Sequence, residues 1–361
     1  MINPTQNDNT EIHFRTPGEH AWAEAATQEL NGANPFEKLL IRKHGLTIEP
    51  YYKKSDKNQV GFTLPVSDSK IFGARAWQNM PTIAVGDEKK ANTLALHYLN
   101  TGADGILFNI ERSEINYEIL FAGIALEHCA ISLLIESGYE EEASLFLAST
   151  SNQKLSGCIF YQQPKNIKQL LKSSAPTFLT TGICVEPNTN PVDELVNALE
   201  AGARLFDSFT DQGHSPDFIA QQIAFHVSID TDFFLSIAKL KALRKCWATI
   251  LQAYNISTVD VNIHASSQAW TKESFQPHGN LIKSTTAALA AIAGGCNYLT
   301  VQAESDEEPG NRASRLVSAV LREESQLSRV ADPTAGSYYL ESLINQLAEK
   351  SWQKFVTQVT L

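Results

Sequence analysis

The sequence has few of the features that mark a secreted, metal-stapled or nucleic-acid-binding protein. Its five cysteines are odd in number and widely separated, so they predict neither a disulfide scaffold nor a CxxC metal site. No block rich in lysine and arginine interrupts the net charge of −11, which argues against nucleic acid as a partner. Residues 1–15 are polar and no apolar run is long enough to cross a membrane, so we expect a cytoplasmic protein that does not contact a membrane.

Strong catalytic motifs are also missing. The chain has no glycine-rich dinucleotide fingerprint after its first strand, no phosphate-binding P-loop, no HExxH and no GxSxG. His214 and His226, with four aspartates between residues 211 and 232, match no spacing of metal ligands. Aspartates that flank helices usually act as caps, so the sequence predicts no metal site and no catalytic residue.

His264 is the best candidate for a functional side chain, because it falls near the C-terminal end of a predicted strand. In one interpretation it donates a hydrogen bond or a proton in a pocket that it shares with Ser266, Ser267 and Gln268. In the other, it is a polar residue at a strand end with its hydrogen bonds satisfied. The residue types alone leave both interpretations open.

What the chain does contain is a repeated junction between helix and strand. Helices that end in glycine, at Gly102, Gly202 and Gly294, lead directly into short apolar segments. The pattern predicts eight strands: Thr82–Val85, Gly105–Ile110, Ile131–Ile135, Gly157–Gln162, Phe178–Ile183, Arg204–Phe209, Val259–Ser266 and Tyr298–Ala303. Eight strands with helices between them favour a closed (β/α)8 TIM barrel over a doubly wound open sheet, whose local signals are the same.

The two ends of the chain are predicted to differ from the barrel. Residues 1–70 read as an N-terminal arm, with a helix over Pro17–Leu30 followed by an extended stretch rich in aromatic residues. Residues 71–361 are predicted to form the α/β barrel, with C-terminal helices over Asn311–Leu327 and Ser342–Thr357.

Four segments, in order along the chain, match the pattern of one family. They are a helix with Phe-Phe, Ala-Lys and Trp-Ala at 233–248, a His-led segment at 264–271, a helix ending in Gly-Gly at 285–295, and Asp-Pro-Thr-Ala-Gly-Ser-Tyr-Tyr-Leu-Glu at 332–341. Weaker similarity extends upstream through Gly45–Tyr52 and Arg75–Trp77. On these segments the chain resembles the methylmalonyl-CoA mutase family.

The resemblance implies a TIM barrel that binds acyl-CoA along its axis and works with a second domain that carries adenosylcobalamin. Such an enzyme exchanges methylmalonyl-CoA with succinyl-CoA by a radical rearrangement. The family's cobalamin signature, Asp-x-His-x-x-Gly, occurs nowhere in this sequence. We therefore expect no cobalamin-binding domain in this chain and no cofactor bound by it.

Two residues that the resemblance links to catalysis are absent. Catalytic subunits carry a Tyr in Arg-Gln-Tyr-Ala-Gly-Phe, where this chain has Gln78–Ala84, and a His in Ser-Gly-Tyr-His at a strand end, for which we match Ser208–Asp211. In the His264 segment the family's Gln falls on Ser266 and its second Ser on Gln268. His264, Ser266 and Gln268 are therefore candidate remnants of an acyl-CoA channel.

These departures resemble the family's small, non-catalytic subunit. That resemblance implies a silent chain that pairs with a large catalytic subunit as a heterodimer, or forms a homodimer when alone, with adenosylcobalamin carried by the partner. Bulky residues of the predicted strands agree, as in Leu107-Phe108, Phe160-Tyr161 and Leu205-Phe206, because an axis that passes a pantetheine arm needs small or polar side chains.

Two alternatives stay open. The chain could be an active acyl-CoA mutase barrel that uses a cobalamin domain on a separate polypeptide. It could also be a diverged barrel enzyme with unrelated chemistry at His264. Aromatic residues of the arm, Trp22, Phe36, Tyr51 and Tyr52, either wrap a partner or pack on their own chain.

Overall fold

The computed structural model describes residues 18–53, 62–151, 153–257, 259–268, 279–303 and 308–359. The chain divides into two compact units, Met1–Asn58 and Gln59–Leu361. Among the residues that the structure describes, no helix combines the length and the apolar character that a membrane span needs.

The N-terminal unit holds two helices and a hairpin. Its elements are α1 (Glu19–Glu29), α2 (Pro35–Lys38), β1 (Ile41–Lys43) and β2 (Leu46–Ile48). The two strands pair antiparallel. The ring of Trp22 lies 5.5 Å from that of Phe36 and 5.2 Å from that of Tyr51, measured between centroids. The predicted helix is present, and the rings of Trp22, Phe36 and Tyr51 contact one another, whereas residues 54–57 of the predicted extended stretch lie outside the described residues.

The second unit is built on one parallel sheet. Its strands are β3 (Gln78–Asn79), β4 (Thr82–Ala84), β5 (Gly105–Ile110), β6 (Ala130–Ile135), β7 (Gly157–Tyr161), β8 (Phe178–Cys184), β9 (Ile223–Ile229), β10 (Asn262–Ser267) and β11 (Tyr298–Thr300). Its helices are α3 (Glu88–Asn100), α4 (Tyr117–Leu120), α5 (Glu142–Ser149), α6 (Pro191–Asp211), α7 (Pro216–Ala220), α8 (Phe233–Ala253), α9 (Gly279–Ala293), α10 (Glu308–Ala319) and α11 (Tyr338–Val359). A π-helical turn, Val320–Glu324, continues α10, and 3-10 turns lie at Pro164–Asn166 and Leu327–Arg329.

The sheet closes on itself through a broken first strand. β3 pairs with β11 and β4 pairs with β5, so the two ends of the nine-stranded sheet are consecutive in sequence. The break falls at Met80-Pro81, where the Met80 N–H donates to the Leu299 carbonyl at 2.8 Å and the Pro81 carbonyl accepts from Leu107 at 3.0 Å. Because β3 and β4 are two parts of one strand, the sheet has eight strand positions. The predicted TIM-barrel fold with C-terminal helices is confirmed.

One predicted strand is wrong. Arg204–Phe209 lies within the helix α6, and the strand at that position of the barrel is β9, which was not predicted. The error came from Gly202, which reads as the end of a helix but lies inside one. A Cβ at Gly202 would come 2.5 Å from a ring carbon of Trp247, so this glycine provides space for an aromatic ring of α8.

The helices outside the barrel differ greatly in length. The connections that follow β5, β6 and β7 carry only the 4 residues of α4, the 8 residues of α5 and a 3-residue 3-10 turn. The connections that follow β8 and β9 carry helices of 21 residues each, α6 and α8, and α11 packs outside both. The barrel therefore has one thinly covered side and one thickly covered side.

Three buried cations fix α8 on the thickly covered side. The Lys239 ammonium lies 2.8 Å from Glu194 of α6, and the Lys241 ammonium lies 2.7 Å from Asp332. Arg244 pairs with Asp260 and donates to the Gly295 carbonyl at 2.5 Å. Each side chain ties the helix to a different segment, which satisfies charges that would otherwise be costly to bury.

Aromatic side chains cover the strands on the thinly covered side. Phe108, Tyr117, Phe121, Phe146 and Phe178 form a chain of ring contacts with centroids 5.4 to 5.8 Å apart. Rings of this size each bury a large apolar area, so they exclude water from the outer faces of β5 to β7 although the local helices are short.

Candidate functional site

Strand register decides which side chains face the barrel interior, where the candidate residues lie. In the parallel register His264 of β10 lies beside His226 of β9 and beside Tyr298 of β11. Phe225, the residue before His226, packs outwards, with its ring 5.2 Å from that of Trp247 on α8. Because side chains alternate along a strand, His226 and His264 point into the barrel.

His264 is fully buried and makes one side-chain hydrogen bond. Its Nε2 lies 2.8 Å from the Thr300 hydroxyl, which itself donates to the Met80 carbonyl at 2.5 Å. A threonine hydroxyl has a single hydrogen, so the Nε2 of His264 must be the donor in the first of these contacts. Its Nδ1 is then an acceptor, and it is buried without a hydrogen-bond partner.

Ser266 contacts the second imidazole of the interior. Its hydroxyl lies 2.8 Å from the Nε2 of His226, and the Nδ1 of that ring lies 3.8 Å from the Cys184 sulfur. Gln268 follows the end of β10 and is half-buried, and its main-chain N–H donates to the Ile229 carbonyl at 3.3 Å. The structure therefore places the Ser266 hydroxyl against the imidazole of His226, which neighbours that of His264. Gln268 prolongs the pairing of β10 with β9.

Two more rings fill the space around these histidines. The Phe160 centroid lies 5.5 Å from both imidazoles, and the Tyr298 centroid lies 5.8 Å from that of His264. Phe160 fits because β8 has a glycine opposite it: a Cβ at Gly182 would come 2.3 Å from a ring carbon of Phe160. We call Phe160, His226, His264 and Tyr298 the plug.

Apolar clusters continue the filling next to the plug. One consists of Leu107, Cys158, Phe160, Leu179 and Ala224, and the other of Met80, Ala130 and Tyr298. Small barrels are filled by layers of inward side chains in this way. The interior at this level is a packed core around the buried Phe160, His264 and Tyr298, whereas His226 is half-buried.

Burial keeps the titratable groups of the plug uncharged near neutral pH. It lowers the pKa of His226 to about 4. Burial, and then the neighbouring His226, lowers the pKa of His264 well below its usual value. Burial also raises the pKa of the Cys184 thiol and of the Tyr298 hydroxyl. The layer therefore offers no fixed charge that could bind a carboxylate or a phosphate.

Comparison with known proteins gives a family. The model of the family described as methylmalonyl-CoA mutase matches residues 166–359. The chain belongs to the methylmalonyl-CoA mutase family. The small subunit of the Porphyromonas gingivalis methylmalonyl-CoA mutase is 29% identical over 392 residues, which cover 95% of this chain and 63% of that protein. The mitochondrial mutase of Bos taurus is 24% identical (93% of this chain, 54% of that protein), and the Escherichia coli mutase is 22% identical (91% and 56%).

This chain therefore spans between about half and two thirds of the length of these mutases. The family model covers β8 to β11 and α6 to α11, which form the thickly covered side, whereas β3 to β7 lie outside the match.

Two mutase motifs can now be placed on the barrel. The stretch that replaces Arg-Gln-Tyr-Ala-Gly-Phe is the broken first strand, and Met80 within it is fully buried beside Ala130 and Tyr298. The match of Ser-Gly-Tyr-His to Ser208–Asp211 is wrong, because those residues are helical. A strand end with a glycine in the second position is Thr181-Gly182-Ile183-Cys184, at the end of β8. That strand end contains no His either.

The part of the chain that the structure describes forms no metal site. Across the described part of the chain, no three His, Cys, Asp or Glu side chains come together as a metal site would require. His214 contacts the rings of Phe209 and Phe218, whereas His226 lies in the plug, so the pair considered from sequence is not one site. Asp232 caps α8, as its position before a helix predicted.

Sequence reasoning found His264 and Ser266 but missed the layer to which they belong. His226 was considered only as a metal ligand, and Tyr298 only as the first residue of a strand. The signal that could have joined them is the pairing of β9 with β10, which places His226 beside His264. The rest of the mutase-like segment after Gln268, residues 269–271, lies outside the described residues.

Proposed function

We propose that this chain is the small subunit of an adenosylcobalamin-dependent methylmalonyl-CoA mutase, that it is catalytically silent, and that it stabilises a large catalytic subunit as a heterodimer. The plug is the observation that carries this proposal. A pantetheine arm can lie along a barrel axis only where the side chains leave it a path, and Phe160, packed against Gly182 and both imidazoles, occupies that path.

The plug residues also explain the proposed lack of catalytic activity in this chain. His264, Ser266 and Gln268 are then remnants of an acyl-CoA channel, because the Nε2 of His264 and the hydroxyl of Ser266 are turned to internal partners. A general acid or base must reach the atom that it protonates, and a fully buried imidazole cannot do so.

The relative from Porphyromonas gingivalis, which bears the words small subunit in its name, supports the pairing. In such a complex the partner carries adenosylcobalamin, which supplies the radical that rearranges the acyl-CoA. This chain contributes stability to the partner, and the complex is cytoplasmic.

Co-expression with a large mutase subunit tests the proposal. We expect the two chains to co-purify, the large subunit to be more stable in the complex than alone, and turnover to be unchanged by His264→Ala in this chain. Failure to associate with any cobalamin-loaded mutase subunit would overturn the proposal.

The alternative of an active barrel that borrows a cobalamin domain is tested in the same system. It requires turnover of methylmalonyl-CoA by this chain mixed with an isolated cobalamin domain, without another barrel present. The filled axis favours the silent subunit, so we expect no turnover in that mixture.

A further inference from the structure

We draw no further inference here: the strongest candidate, the cavity of about 570 Å3 at the N-terminal mouth of the barrel, has Tyr298 of the plug in its lining and therefore belongs to the site already described.

Discussion

The two sides of the barrel protect their strands by different means. Around β5 to β7 the helices are no longer than 8 residues, and interlocked aromatic rings cover the sheet. Around β8 and β9 the helices have 21 residues and are tied to their neighbours by buried ion pairs. The family model matches only the second kind of construction.

The comparison shows that a barrel strand needs a water-excluding cover but not a long helix. Apolar rings stabilise the fold through the area that they bury, and they need no partner of opposite charge. Buried ion pairs need both partners in place, because a single charge left inside costs more than the pair contributes. On the thickly covered side, substitution of one residue of a buried ion pair should therefore cost more stability than the loss of one polar contact costs on the other side.

The largest effect is expected at the pair of Lys241 and Asp332, whose side chains are only 1% and 2% exposed. Asp332→Ala leaves the ammonium unpaired and should lower the free energy of unfolding by roughly 3–5 kcal/mol in urea titrations. The double variant Lys241→Met with Asp332→Ala removes both charges and should be more stable than the single variant. If the double variant is no more stable than Asp332→Ala, the unpaired ammonium of Lys241 is not the cause of the loss of stability.

A smaller effect is expected at the hydrogen bond between Tyr117 and Glu142, within the aromatic cover. The Tyr117 hydroxyl donates to the buried Glu142 carboxylate at 3.0 Å, and the other oxygen of that group accepts from the Glu114 N–H at 2.7 Å. Tyr117→Phe keeps the ring and removes one donor, so unfolding should become easier by roughly 1–3 kcal/mol. A loss as large as that of Asp332→Ala would break the contrast between the two sides.

Acid should weaken the plug, which joins the two sides. The folded-state pKa of His226 is about 4, below the usual imidazole value, so the unfolded chain binds more protons as the pH falls. Stability is thus present above about pH 6.5 and is lost progressively towards about pH 4. Part of this loss occurs between pH 6.5 and 5.5, so the melting temperature should fall over that range. His226→Leu should reduce the slope of the melting temperature against pH. An unchanged slope in that variant would assign the acid effect to other groups.

The smallest effect is expected at the surface contact between α11 and α6. The Lys354 ammonium lies 2.7 Å from Asp193, and the two side chains are 46% and 32% exposed. Lys354→Ala should therefore change the free energy of unfolding by no more than about 1 kcal/mol. A larger loss would mean that the outer helix depends on this pair rather than on its apolar face.

Local patterns predicted most of the fold. Seven of the eight predicted strands overlap observed strands, because each combines an apolar run with a turn or helix end before it. The exception shows the limit: Gly202 has the same local context as a helix-ending glycine, and only its contact with Trp247, far along the chain, shows its role. β9 was missed because His226 and Ser228 make it look polar, although both face the interior of the barrel.

The candidate site was less predictable than the fold. His264 could be chosen from its place near a strand end, and Phe160 from its size. Whether these side chains point inwards depends on register, which a one-residue shift reverses. The notch at Gly182 that accommodates Phe160 lies on the neighbouring strand, and nothing in the sequence around Phe160 indicates it.

Calorimetric titration of the isolated chain with methylmalonyl-CoA and with succinyl-CoA tests the central claim most directly. If Phe160, His226, His264 and Tyr298 fill the axis, neither ligand should produce a saturable heat of binding. Saturable binding with a micromolar Kd to either one would mean that acyl-CoA finds a path through the barrel, and it would contradict the account of this chain as a silent subunit.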